Sequence, residues 1–138
     1  MNIMSFLPRI LIVEDESDVV QQLIKLLHHA DYDTLVAPRG DGALAAVHLH
    51  RPDLVLIDIA APGCNGISIL HAIHTIDPEL PSIIITRDGC LQEVRGAMLN
   101  GAFDFFTRPY DNLELLSSIA AALASRRAMA GWQEVGIV

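Results

Sequence analysis

The chain has 138 residues, the length of one domain with one core. Half of it is hydrophobic (51%), more than a disordered chain carries, and with 5% aromatic residues the interior must be filled by Ile, Leu, Val and Ala. The formal net charge of -8 argues against direct nucleic-acid binding, because phosphate backbones attract positive proteins; the same acidity suits a site for a hard cation.

Short apolar runs alternate with longer helical patterns. Arg9 to Val13 is the first run, and it ends in three acids, Glu14, Asp15 and Glu16. Val20, Leu23, Ile24 and Leu27 then recur at helical spacing, with Ser17 or Asp18 as the expected N-cap. Residues 33–37 read as a short strand and 40–50 as an Ala-rich helix. Leu54 to Ile57 is a continuous apolar run that stops at Asp58. Pro62, Gly63, Asn65 and Gly66 mark a loop, and Ile67, Leu70, Ile73 and His74 a third helix.

Pro81 precedes a buried-strand pattern from Ser82 to Thr86. Residues 91–100 are a predicted helix, and Gly101 fits its stop. Residues 103–107 read as a fifth strand, and Leu116, Ile119, Ala120 and Leu123 as a last helix running on through Arg126 and Arg127. Residues 131–138 look like a tail. Strands that are apolar throughout are buried on both faces. Five of them alternating with five helices predict an α/β protein with a parallel sheet covered on both sides.

In doubly wound sheets, ligands bind at the carboxyl ends of the strands. Those ends carry Glu14 and Asp15, then Asp58, then Thr86, then Thr107 and Arg108 before Pro109. Carboxylates gathered there repel one another, and a divalent cation relieves the repulsion. Oxygen-only ligands favour Mg²⁺, which also neutralises charge on a transferring phosphoryl group. A carboxylate such as Asp58 can be the nucleophile and become an acyl phosphate. Thr86 can donate a hydrogen bond to that group, and Arg108 can pair with it. The plain alternative is that these acids merely cap helices.

These residues lie in four segments that resemble the motifs of response-regulator receiver domains. Arg9-Ile-Leu-Ile-Val-Glu-Asp-Glu16 is similar to their opening. Leu54 to Gly66 is similar to their phosphorylation-site segment, with Pro62 and Gly66 at the expected offsets from Asp58. Ser82 to Thr86 and Gly101 to Pro109 complete the match. The resemblance covers roughly residues 8–125, leaving an extension at 1–7 and a helix end and tail at 126–138. It implies a flavodoxin-like five-stranded sheet of order 2-1-3-4-5. It also implies a signalling domain, not an enzyme, whose Asp58 takes phosphate from a histidine kinase or phosphotransfer protein. Glu14, Asp15, Asp58 and the main-chain carbonyl of Ala60 would hold Mg²⁺. Thr86 and the inward-turning Phe105 would form the switch, with a cis bond before Pro109. The output would be a changed surface on the fourth helix, fifth strand and fifth helix, read by an output domain or protein or by a second copy.

The departures from the family pattern are local. Arg108 stands where the family has lysine, and a planar fork is not a point charge. It could reach the phosphoryl group, or lock Asp58 in a two-pronged pair. Arg87 and Phe105 replace the usual small residue and tyrosine, and Ala61 the usual methionine. These changes motivate an alternative, a pseudo-receiver that binds partners without phosphorylation. A dehalogenase-type phosphatase would need an aspartate where Ala60 stands. A flavodoxin would need a phosphate-cradling loop where Glu14-Asp15-Glu16 would repel phosphate.

Other features carry no function. Cys64 and Cys90 form no Cys-x-x-Cys pair and read as reduced thiols. His71 and His74 lie one helical turn apart with no third ligand in view. No apolar run approaches the ~20 residues of a membrane helix, and residues 1–8 lack a signal-peptide pattern. A cytoplasmic protein is expected.

Overall fold

A computed structural model describes residues 7–59, 66–86 and 91–134, with side chains up to Arg126. Its elements run in the order β1 (Arg9–Val13), α1 (Ser17–His29), β2 (Asp33–Ala37), α2 (Gly40–His50), β3 (Leu54–Asp58), α3 (Gly66–Ile76), β4 (Ser82–Thr86), α4 (Leu91–Leu99), β5 (Asp104–Thr107) and α5 (Asn112–Glu134). The five strands are parallel and ordered β2-β1-β3-β4-β5.

The sheet is buried on both faces because its central strands are apolar at every position between their ends. Successive side chains point to opposite faces. Leu11, Val13, Val55, Ile57 and Ile84 therefore enter one core, with Val47, Leu70, Ile73, Val94 and Ala97 from α2, α3 and α4. Ile10, Ile12, Leu54, Leu56, Ile83 and Ile85 enter the other, with Leu23 and Leu27 from α1 and Leu115 and Ile119 from α5. The edge strands β2 and β5 are only partly buried and carry Asp33, Thr34 and Asp104.

Helix ends follow local chemistry. Gly101, at φ +98°, closes α4: its N–H donates to the Met98 carbonyl, and the Ala102 N–H donates to that of Ala97. That left-handed residue is the reason for glycine there. Asp31 closes α1 in the same way, at φ 64°.

Three expectations shift. α1 starts with Ser17 as its first helical residue, and Glu16, not Ser17 or Asp18, occupies the N-cap. The cause lies upstream: Glu14 Oε1 accepts the Glu16 N–H at 3.0 Å, which sets the turn out of β1. β5 begins at Asp104, one residue later than expected. α5 runs to Glu134, into the segment expected as a tail. No proline interrupts it, and Ala124, Ala128 and Ala130 are strong helix formers. Arg126 anchors this helix to the loop after α3 through a 2.9 Å ion pair with Asp77. No helix among the described residues is long and apolar enough to cross a membrane.

Leu56, at the centre of the sheet, is fully buried, whereas Leu49 on α2 is exposed. In urea denaturation Leu56→Ala should lose about 2–5 kcal/mol with an unchanged m-value. Leu49→Ala should stay within about 0.5 kcal/mol of the parent.

Candidate functional site

Parallel pairing brings distant residues to one edge of the sheet. Val13 pairs with Ile57, so Glu14 and Asp58, the next residues on their strands, emerge side by side. Thr86 pairs with Thr107 on the other side, which delivers Arg108 to the same edge. The Arg108 N–H donates to the Thr86 carbonyl at 3.0 Å. The Arg108–Pro109 peptide bond is cis.

Glu14 and Asp58 are almost sealed from solvent, 2% and 3% exposed, and Thr86 is buried beside them. Two carboxylates in that setting need a counter-charge, and Arg108 supplies it. Its Nη2 donates to Glu14 Oε2 at 2.6 Å and reaches Asp58 Oδ2 at 3.5 Å. Its Nη1 lies 3.9 Å from Glu16 Oε2. A two-pronged pair with Asp58 is therefore not what forms. The short bond goes to Glu14, and a single nitrogen reaches Asp58.

Burial alone would push the Glu14 carboxyl up. Hydrogen bonds with the Asp58 carboxyl, the Glu16 N–H and Arg108, aided by the arginine's charge, overcome it and hold Glu14 below its ordinary value. Burial raises Tyr110, two residues beyond Arg108, against the opposing charge of that arginine.

Asp15 is exposed, and Ala60, Ala61 and Arg87 lie outside the described residues. Among the described residues no three His, Cys, Asp or Glu side chains gather closely enough to hold a metal by themselves, His71 and His74 included. Glu14 and Asp58 still offer oxygen donors alone, which suits a cation that takes one or two carboxylates and keeps several waters. The guanidinium between them shows that this pair already draws a positive charge to itself. Phe105 is 40% exposed and faces away from the cores.

Two contributors escaped the sequence reading. Glu16 is the third carboxylate near Arg108, and its signal was the unbroken acidic triplet after β1. Tyr110 stacks edge-on against Phe106 with ring centres 6.2 Å apart. It helps line a cavity of about 370 Å³ beside Arg108, with Val19, Gln22, Pro109 and Asn112.

Residues 10–120 match the family described as the response regulator receiver domain. Among curated proteins, the DNA-binding response regulator MtrA of Mycobacterium tuberculosis is 34% identical over 115 residues, which is 83% of this chain and 50% of MtrA. The transcriptional regulatory protein PrrA of the same organism is 29% identical over 119 residues, 86% of this chain and 51% of PrrA. The chain thus spans about half the length of these relatives. Among solved structures, a CheY-like receiver domain protein from Methanospirillum hungatei superposes with a TM-score of 0.84 at 25% identity, covering 89% of this chain and 98% of that one. NtrX from Brucella abortus, crystallised with ADP, gives 0.86 at 28% identity over 94% of this chain and 29% of its own.

The lowered Glu14 value has a consequence for stability. Between its folded value and about 4.5, the ordinary value expected when unfolded, the unfolded chain binds the extra proton. The contribution of Glu14 is therefore complete above about pH 4.5 and fades as pH falls toward the folded value. In chemical denaturation across pH, Glu14→Gln should be less stable than the parent at neutral pH, and the gap should narrow below about pH 4.5. A gap that is constant with pH would contradict this assignment.

Proposed function

The chain belongs to the family of response regulator receiver domains, and from that premise we propose that Asp58 accepts a phosphoryl group in a two-component phosphorelay. The observation that carries the proposal is the buried Glu14–Asp58 pair under the Arg108 guanidinium, at the carboxyl edge of a parallel sheet. An aspartate built only to cap the third helix would not need a buried acidic neighbour and a cation reached from a strand 50 residues away.

The chemistry is a displacement at phosphorus. An Asp58 carboxylate oxygen forms the new O–P bond while the donor's N–P bond breaks, and the electron pair leaves with the imidazole of a phosphohistidine. A sensor histidine kinase or a phosphotransfer protein is the donor. In this reading Thr86 donates its hydroxyl hydrogen to the phosphoryl oxygens, and Arg108 pairs with their charge. Glu14 and Asp58, with Asp15 at the mouth and the Ala60 carbonyl, would hold Mg²⁺, whose charge when bound offsets that of the transferring group.

The new group adds about -1.5 to -2 charges at the strand ends. Thr86 then shifts toward it and Phe105 turns inward, altering the face formed by α4, β5 and α5. Leu91, Leu99 and Phe105 are exposed on those elements, available to an output domain, a downstream protein or a second copy. With a net charge of -8, this chain itself is poorly suited to touch DNA.

The second reading, a binding module that works without phosphorylation, is favoured by one observation. Arg108 already occupies both carboxylates. Incubation with Mg²⁺ and acetyl phosphate separates the two. The parent chain should gain the mass of one phosphoryl group, and Asp58→Asn should gain none. A parent chain left unmodified by both acetyl phosphate and a phosphohistidine donor would remove the phosphoacceptor reading in favour of the second.

A further inference from the structure

We propose that Arg108 is a tethered counter-cation that competes with Mg²⁺ for Glu14, and that Glu16 receives the guanidinium when the metal enters. The inference rests on the Mg²⁺ reading of the site given above and adds a gate to it.

Both oxygens of the Glu14 carboxylate are engaged. Oε1 accepts the Glu16 N–H at 3.0 Å, and Oε2 accepts from Arg108 Nη2 at 2.6 Å. The latter is a short, charge-assisted bond between groups shielded from water, and such bonds are about twice as strong as neutral ones. The same nitrogen lies 3.5 Å from Asp58, so one guanidinium end sits between the two carboxylates that a divalent cation would use. A cation cannot take Glu14 Oε2 until this bond breaks.

Like charges give the same answer. The guanidinium and a divalent cation are both positive and both drawn to Glu14 and Asp58, so in this buried setting each disfavours the other. An arginine cannot escape by losing its proton, so it must move.

The place to move to is visible. Nη1 lies 3.9 Å from Glu16 Oε2, and Glu16 is half exposed at the rim. The cavity of about 370 Å³ next to Arg108 leaves room for the swing. The planar fork matters here, because its two ends face different carboxylates, which a single ammonium could not do.

The test is titration of the metal-free chain with Mg²⁺ alone, read by calorimetry and by the Mg²⁺-dependent rise in unfolding temperature. Arg108→Met should bind Mg²⁺ about tenfold or more tightly than the parent, the equivalent of one charge-assisted bond removed from the metal-free state. Arg108→Lys, which keeps the charge and guards against a misfolded methionine variant, should fall between them. Glu16→Gln should weaken Mg²⁺ binding in the parent and leave it unchanged in the Arg108→Met background. Equal or weaker binding by both Arg108 variants would overturn the gate. Failure of every variant to bind Mg²⁺ would overturn the gate together with the metal site, while the phosphorylation of Asp58 is read separately from its mass change.

Discussion

Two carboxylates side by side out of water are the constraint on which this structure turns. Each buried ion costs several kcal/mol of lost hydration unless its charge is matched. Among the described residues, Arg108 supplies that match to both Glu14 and Asp58. The guanidinium lies 94 residues along the chain from Glu14, so this compensation exists only when the fold is complete. Chemistry and folding are therefore coupled at the same atoms.

The sheet is what makes such a meeting possible. Parallel pairing of β1 with β3 delivers the two acids together, and pairing of β4 with β5 delivers Thr86 and the arginine. The strands can pass through the middle of the protein because their residues feed two cores in alternation. All the polarity of the central strands is thus pushed to their ends. There it is concentrated, buried and short of water, which are the conditions under which a carboxylate becomes useful for phosphoryl transfer and sensitive to a metal.

Much of this was legible beforehand. The order of elements follows from apolar runs and helical spacing, and the strand-end position of Glu14, Asp58, Thr86 and Arg108 follows from where those runs stop. Other features depend on three-dimensional choices that spacing does not encode. Arg108 selects Glu14 over Asp58 at short range because a long side chain reaches past the nearer strand end. Asp15 points to solvent while its neighbour Glu14 is buried, an alternation decided by the turn that Glu14 itself stabilises. That same turn moves the start of α1 to Ser17 and makes Glu16 the N-cap. The extent of α5 was missed because the residues from Gly131 on read as a tail, whereas the alanines before them carry the helix through.

A double-mutant cycle between Glu14 and Arg108 tests most directly whether this ion pair organises the site. Unfolding free energies of the parent, Glu14→Gln, Arg108→Met and the double variant would be measured in urea at neutral pH without divalent metal. Loss of Arg108 should cost markedly more when Glu14 is present, with a coupling energy above about 1 kcal/mol. Costs that add to within about 0.5 kcal/mol would mean that the two side chains are neighbours without being partners, and would contradict the central role assigned to Arg108.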